Sequence, residues 1–389
     1  MQPTCRTLLT LLLSAILLSG CWDRIEINDL AIITAAGVDL TDNDRIKLSV
    51  QLFVPSPPSS EQSASGPSSG STNKTVVRDA IGIDMADATA RLQERLSRKV
   101  FWGQADVFVF GEKLARKSIK EPLEFLTRHP HPRERANLFV SDGPAENVLK
   151  WNTPIERNSA ETLREMAILQ TGLNVSILQA IEELSEEAHT AVLPVVHILQ
   201  KDGESSPFIS GSATFKDLRM ADRLDTSVTR GLLWLRNEIK SATITSPVPQ
   251  GGGGIASVYL FHASSKLVPS IKNGEWRMRV VIDATGNLNE NTSTLDTTKE
   301  PNIVKLQQNF KRTLQKRIEE TVKIAQKSGV DYLGFAEQFY RHYPKQWNKS
   351  KKNWDEIFPK VVVSYDIRLV VARNGLTGDN KTLQQSETP

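Results

Sequence analysis

Two cysteines in 389 residues leave this chain without a disulfide framework, because such frameworks need several pairs at short spacings. An excess of one charge is missing too: 48 Lys+Arg stand against 45 Asp+Glu, a formal net charge of +3. Electrostatic capture of nucleic acid needs a dominant basic face, so no nucleic-acid partner is expected. Long hydrophobic runs are also absent. The longest, Leu8 to Leu18, has eleven residues, whereas a helix needs about 20 to span a bilayer. Its rival, Ala191 to Leu199, contains Pro194 and His197. No permanent transmembrane helix is expected. What remains, 39% hydrophobic and 24% charged, is an ordinary globular composition, long enough for two or three domains at roughly 100 to 200 residues each.

The eleven-residue run has a use of its own. Residues 1–20 carry one charge, Arg6, and end the apolar run in small residues, the layout of a secretory signal peptide. The sequence Leu18-Ser19-Gly20-Cys21 resembles a bacterial lipobox, with cleavage between Gly20 and Cys21. A thiol there accepts a diacylglyceryl group, and the new N-terminus accepts a further acyl chain. Cys5 leaves with the signal, so the mature chain keeps Cys21 alone; acylation removes a free thiol otherwise open to oxidation. Two or more acyl chains, at about 0.8 kcal/mol per buried methylene, exceed what stable anchoring requires. Trp22 next to the anchor either sits at the headgroup level or packs into the protein body.

From the anchor the chain reads Cys21-Trp22-Asp23-Arg24-Ile25-Glu26-Ile27-Asn28-Asp29-Leu30-Ala31 and continues to Gly37-Val38-Asp39. This resembles the opening of the GerAC, or Ger(x)C, family of spore-germination lipoproteins. Further blocks follow in the same order: Phe101-Trp102-Gly103-Gln104-Ala105-Asp106, then Thr229-Arg230-Gly231-Leu232-Leu233-Trp234-Leu235, then Tyr343-Pro344-Lys345, Trp354 and Phe358-Pro359. The resemblance implies the lipoprotein, or C, subunit of a nutrient germinant receptor. Its partners would be integral-membrane A and B subunits, and its place the outer face of the inner spore membrane. The Ser/Pro/Gly tract from Pro55 to Thr75 is longer than the family core requires.

The tract has almost no apolar side chains and cannot offset its ordering entropy by burial; it is expected to be a surface loop. Before it, residues 45–54 alternate Ile46, Leu48, Val50 and Leu52 with polar residues, the period of a half-buried strand. Met85, Ala88, Leu92, Leu96 and Val100 share a helical face, and Ala105 to Phe110 reads as a buried strand. Helices are expected near 114–126, 160–170 and 175–187. The polar stretch Lys201 to Pro207 is read as a domain boundary, dividing an N-terminal part, 21–200, from a C-terminal part, 206–374. Gly251 to Gly254 is a second candidate. Strands are expected at 208–215, 256–261 and 276–282, and a helix of roughly 40 Å from Asn302 to about Gly329. The last strand, Val361 to Val371, arrives after that helix and must pair within its own half. The fold class is α+β: mixed sheets with packed helices, followed by a frayed tail, 375–389.

Few chemical motifs survive their context. Gly66-Pro67-Ser68-Ser69-Gly70 matches G-x-S-x-G and Ser71-Thr72-Asn73-Lys74 matches S-x-x-K, but neither has the strand and helix that a nucleophile needs around it. His129 and His131 are separated by Pro130 and have no further ligands nearby, so no metal is expected. Gly251 to Gly254 lacks the Gly-Lys-Ser/Thr that follows in a P-loop. No catalytic residues, cofactor or enzymatic activity are expected. Arg341, Lys345, Lys349, Lys351 and Lys352, interleaved with Trp347 and Trp354, suit either a solvated connection pinned by packed tryptophans or contact with an anionic membrane surface. The rival reading of the whole chain is a solute-binding lipoprotein that serves a transporter. Such proteins repeat strand-helix units regularly around a cleft, and this sequence does not.

Overall fold

The computed structural model describes residues 26–54, 75–151, 155–169, 172–201 and 204–373. The signal sequence with Gly20, Cys21 and Trp22, the tract from Pro55 to Lys74 and the tail after Arg373 lie outside the described residues. A 3-10 turn, Ile27–Asp29, enters β1 (Leu30–Leu40), which folds back as β2 (Ile46–Phe53). Thr75, the last residue of the Ser/Pro/Gly tract, begins β3 (Thr75–Gly82). Then come α1 (Met85–Glu94), β4 (Lys99–Phe101), β5 (Val107–Gly111), α2 (Glu112–Lys117) and α3 (Lys120–Arg128). After these follow β6 (Asn137–Ser141), α4 (Ala145–Lys150), α5 (Ser159–Ile168), α6 (Ile177–Ser185), β7 (Thr190–Lys201), β8 (Glu204–Lys216) and β9 (Arg219–Leu224).

These strands form one sheet in the order β3-β2-β1-β5-β6-β7-β8-β9, with the short β4 beside the start of β1. Its middle, β1-β5-β6-β7, is parallel, and its flanks are antiparallel. Strands covered on both faces read as continuous apolar runs, and all five residues of β5 are buried. Phe108, Phe110, Leu138 and Val140 face one cluster with α1, α3 and α6; Val107, Val109 and Phe139 face another, closed by Ala145, Val148, Leu149 and Leu163 of α4 and α5. Helix starts are fixed locally. Asp84 accepts from the Asp87 N–H at 2.7 Å, and Ser176 with Gln179 makes a reciprocal capping box, satisfying N–H groups that have no partner in the first turn.

Two sequence expectations about helices shift here, and the first sheet extends past the expected boundary. Of the stretch Lys201 to Pro207, Lys201 ends β7 and Glu204 to Pro207 open β8, and the two strands pair from Thr190 with Lys216 to Lys201 with Glu204. The sheet therefore runs on to Leu224, and a polar run marks a hairpin as readily as a boundary. The helix expected over 114–126 is two, because Ser118 takes φ 178° and breaks the turn between α2 and α3. Leu96 and Val100 lie beyond the end of α1, and Val100 belongs to β4.

The crossing to the second sheet is made by α7 (Thr226–Leu235), capped by Asp225, whose carboxylate accepts from Val228 N at 2.8 Å. Then follow β10 (Ala242–Pro247), β11 (Ile255–Lys272), β12 (Glu275–Asn291), α8 (Glu300–Ser328), α9 (Phe335–His342), α10 (Pro344–Ser350), α11 (Trp354–Ile357) and β13 (Val362–Arg373). The sheet order is β10-β11-β12-β13, with β13 parallel to β12, so the last strand does pair within its own half. The Gly251 to Gly254 segment connects β10 to β11 inside this sheet. Leu306, Phe310, Leu314, Ile318, Val322 and Ala325 of α8 are buried against it. Full burial of each Leu, Ile or Phe is worth about 1.5–3 kcal/mol. The helix ends at Gly329, φ 72°, where a left-handed residue costs glycine least.

Candidate functional site

The basic and aromatic stretch folds into a rigid corner. Trp347 of α10 and Trp354 of α11 are buried, and their rings lie 5.0 Å apart, edge to face. Phe339, Tyr343, Trp276 and Phe358 extend the cluster at centroid distances of 4.7–6.4 Å. Each buried indole finds an acceptor: Trp347 Nε1 donates to Glu187 Oε2 at 2.8 Å and Trp354 Nε1 to Asp331 Oδ2 at 3.0 Å. Asp331 also accepts from the N–H groups of Phe335 and Ala336 at 3.1 and 2.6 Å, capping α9. Burial pushes its carboxyl up, and those three N–H donors work against the shift. Pro344 opens α10, where a missing N–H costs nothing. Lys345, Lys349, Lys351 and Lys352 are all exposed, and none is ion-paired among the described residues. Lys345 and Lys349 sit one turn apart on the side of α10 away from Trp347.

Beside this corner the two sheets meet. Thr190 at the start of β7 donates to Asp331 O at 3.0 Å, and Lys216 Nζ reaches Asp355 at 3.1 Å. Arg236, just after α7, is bonded to Glu183 of α6 and, at 2.7 Å, to Glu238. Burial opposes the Arg236 charge, but the two carboxylates more than offset it and hold the guanidinium above its ordinary range. A cleft of about 610 Å³ opens there, lined by Glu183, Glu186, Arg236, Glu337 and Arg341 among others. Burial, then the carboxylates of Glu337 and Glu183, push Glu186 up. Arg236 and Arg341 each already hold a carboxylate, so their chemistry is that of a seam between sheets.

The motif residues have structural reasons that composition alone does not reveal. Gly37 lies beneath α4, where an added Cβ would come within 3.0 Å of the Ala145 Cβ. Asp39 accepts from Ala145 N at 2.8 Å and Glu146 N at 3.2 Å, closing the first turn of α4 from 106 residues away. Burial raises its pKa, against the pull of those two N–H groups. Trp102 stacks on Phe108 with centroids 6.1 Å apart. Gly231 of α7 touches α8 so closely that a Cβ there would be 2.0 Å from Thr321 Oγ1. His129 and His131 pack with each other and with Phe125, Trp102 and Phe101. Among the described residues no group of three or more His, Cys, Asp or Glu is placed to hold a metal.

Comparison with known proteins follows the same two halves. The family described as spore germination protein N-terminal domain matches residues 23–198, and that described as spore germination B3/GerAC like, C-terminal, matches residues 210–375. The chain belongs to the GerAC family. It is similar to the putative spore germination protein YfkR of Bacillus subtilis (strain 168), 30% identical over 357 residues covering 90% of this chain and 92% of that one. It is also similar to spore germination protein KC of the same organism, 27% identical over 400 residues and 97% of each chain. The crystal structure of the GerBC protein shares the fold, with a TM-score of 0.58 at 19% identity over 87% of this chain and 97% of that one. As a GerAC protein the chain has its two family matches part at the β7–β8 turn, inside one sheet. Among the described residues no helix is long and apolar enough to cross a membrane.

Of the residues singled out from sequence, the structure brings Lys345, Lys349, Lys351 and Lys352 together on one corner. Gly20, Cys21 and Trp22 lie outside the described residues. Asp39, Asp331, Arg236 and Glu183 escaped sequence reasoning. Asp39 carried a signal, standing in the Gly37-Val38-Asp39 block; the other three look in sequence like any surface charge.

Proposed function

We propose that this GerAC protein is the lipid-anchored, non-enzymatic subunit of a spore nutrient germinant receptor. It is held through Cys21 at the outer face of the inner spore membrane and acts by assembling with integral-membrane A and B subunits. The observation that carries the reading is that both family matches occur in order over 23–198 and 210–375, beginning two residues after Cys21. The long α8 and the buried α7 join both halves into one core, which suits a subunit that presents a fixed surface to partners. The test is a pull-down of the tagged chain from detergent-solubilised spore membranes, native against Cys21→Ala. Recovery of two integral-membrane partners with the native chain, and less with Cys21→Ala alongside slower germination, is expected. Recovery of transporter components alone would replace this reading with the solute-binding one, and normal assembly and kinetics of Cys21→Ala would remove the anchor from it.

A further inference from the structure

We propose that the molecule stands on its membrane on the end of the first sheet where the parallel strands begin, and that Lys345, Lys349, Lys351 and Lys352 at that end contact anionic lipid headgroups. This deepens the anchoring at Cys21 proposed above and rests on it.

The strand register carries the argument. β1, β5, β6 and β7 are parallel neighbours, so their starting ends share one side of the molecule. The chain enters β1 at Leu30, and Cys21 is five residues before Glu26, a reach of at most roughly 18 Å. Across the sheet Ala35 pairs with Val107 and Val107 with Asn137. Val140 pairs with Val195, which puts Asn137, and hence Ala35, level with Val192. Two residues back on each strand, Ile33 is level with Thr190, the first residue of β7; Leu30, and Glu187 in the turn that precedes β7, lie beyond that level at the same end. Three strand spacings, about 14 Å, separate β1 from β7. Glu187 is the residue that holds Trp347 of the lysine corner, at 2.8 Å. Thr190 and its cross-strand partner Lys216 hold Asp331 and Asp355 of the same layer. Three contacts thus fix the corner beside the end at which the tether emerges.

The chemistry there suits a headgroup layer. From Lys345 to Lys360 the chain carries five lysines against Asp355 and Glu356, and Asp355 is paired with Lys216. Lys99, exposed, stands opposite Leu30 in the β1–β4 pair. Ile27, just before β1, is 71% exposed, an apolar side chain beside the tether. A short tether supplies a high local concentration of surface, so contacts too weak to recruit the protein suffice to orient it. Each lysine at an anionic surface shifts such an equilibrium about fivefold.

The test uses the full, acylated chain in vesicles. Acylation of Cys21 leaves an introduced cysteine as the one free thiol, so a fluorophore is placed at Asn348→Cys on α10 or, as the opposite-end control, at Asn43→Cys in the β1–β2 turn. Quenching by headgroup-nitroxide lipid is then read in phosphatidylglycerol-containing and in zwitterionic vesicles. Quenching is expected at 348 in the anionic vesicles, weak at 43, and lost in high salt. Each Lys→Gln change should lower the docked-to-undocked ratio about fivefold. Equal quenching at both positions would overturn the orientation, and quenching at 348 unchanged by the four Lys→Gln changes would overturn the role of the lysines. Both are judged on protein that floats with the vesicles; a wild-type chain that does not float overturns the anchor and the inference together.

Discussion

At Asp39 one buried carboxylate does what a local cap does in other helices. Asp39→Ala leaves the N–H groups of Ala145 and Glu146 without an acceptor in a buried place, at a cost of about 1–3 kcal/mol, to be read from urea unfolding midpoints. Gly231→Ala pushes a Cβ onto Thr321 where α7 crosses α8, and overpacking of this kind costs about 1–3 kcal/mol; the same unfolding series measures it. Glu186 behaves oppositely. An acid whose folded pKa is raised holds its proton more tightly when folded, so stability falls as pH rises from its unfolded value through its folded one. Burial and the carboxylates of Glu337 and Glu183 raise Glu186. Glu186→Gln should therefore melt higher than the native chain at pH 7, with the difference closing as pH falls below the ordinary carboxylate range. A constant difference across pH would show that the carboxylate charge is not its source.

Elements were legible in the sequence where the pattern was long and local. The helix from Asn302 kept its apolar spacing for about six turns and appears as Glu300–Ser328; Val361 to Val371 kept a period of two and appears as Val362–Arg373. The basic alternation of Trp276 to Ile282 likewise places Met278, Val280 and Ile282 inward and Arg277 and Arg279 outward. Strand neighbours were not legible. β1 and β5 are joined through two strands, a helix and β4 before they pair, and nothing local to either records the partner. The lysine corner was half legible: the basic and aromatic residues were visible, but not the acceptors Glu187 and Asp331 that seat Trp347 and Trp354. Replacing the cap of α7 tests how far that helix depends on local structure. Asp225→Ala should cost about 1 kcal/mol, because the apolar face of α7 is secured by both sheets; a loss several times larger would mean that the cap organises the junction.

For the whole molecule the α+β class followed from the sequence, while the extent of each sheet did not. Buried side chains from Ala31 to Val371 form one continuous cluster, and α7 packs against α8, β8 and β11. The two sheets should therefore melt in a single calorimetric transition, and two resolved transitions would contradict the shared core. The β7–β8 hairpin bears on how this protein can be divided. A fragment ending near residue 201 would strip β8 and β9 from the sheet and leave β7, twelve residues long, as a bare edge able to pair with another copy. Fragments and chimaeras of the first half should instead run through Leu224, since a recombination point at the seam of the two sequence families would produce an aggregate rather than a module.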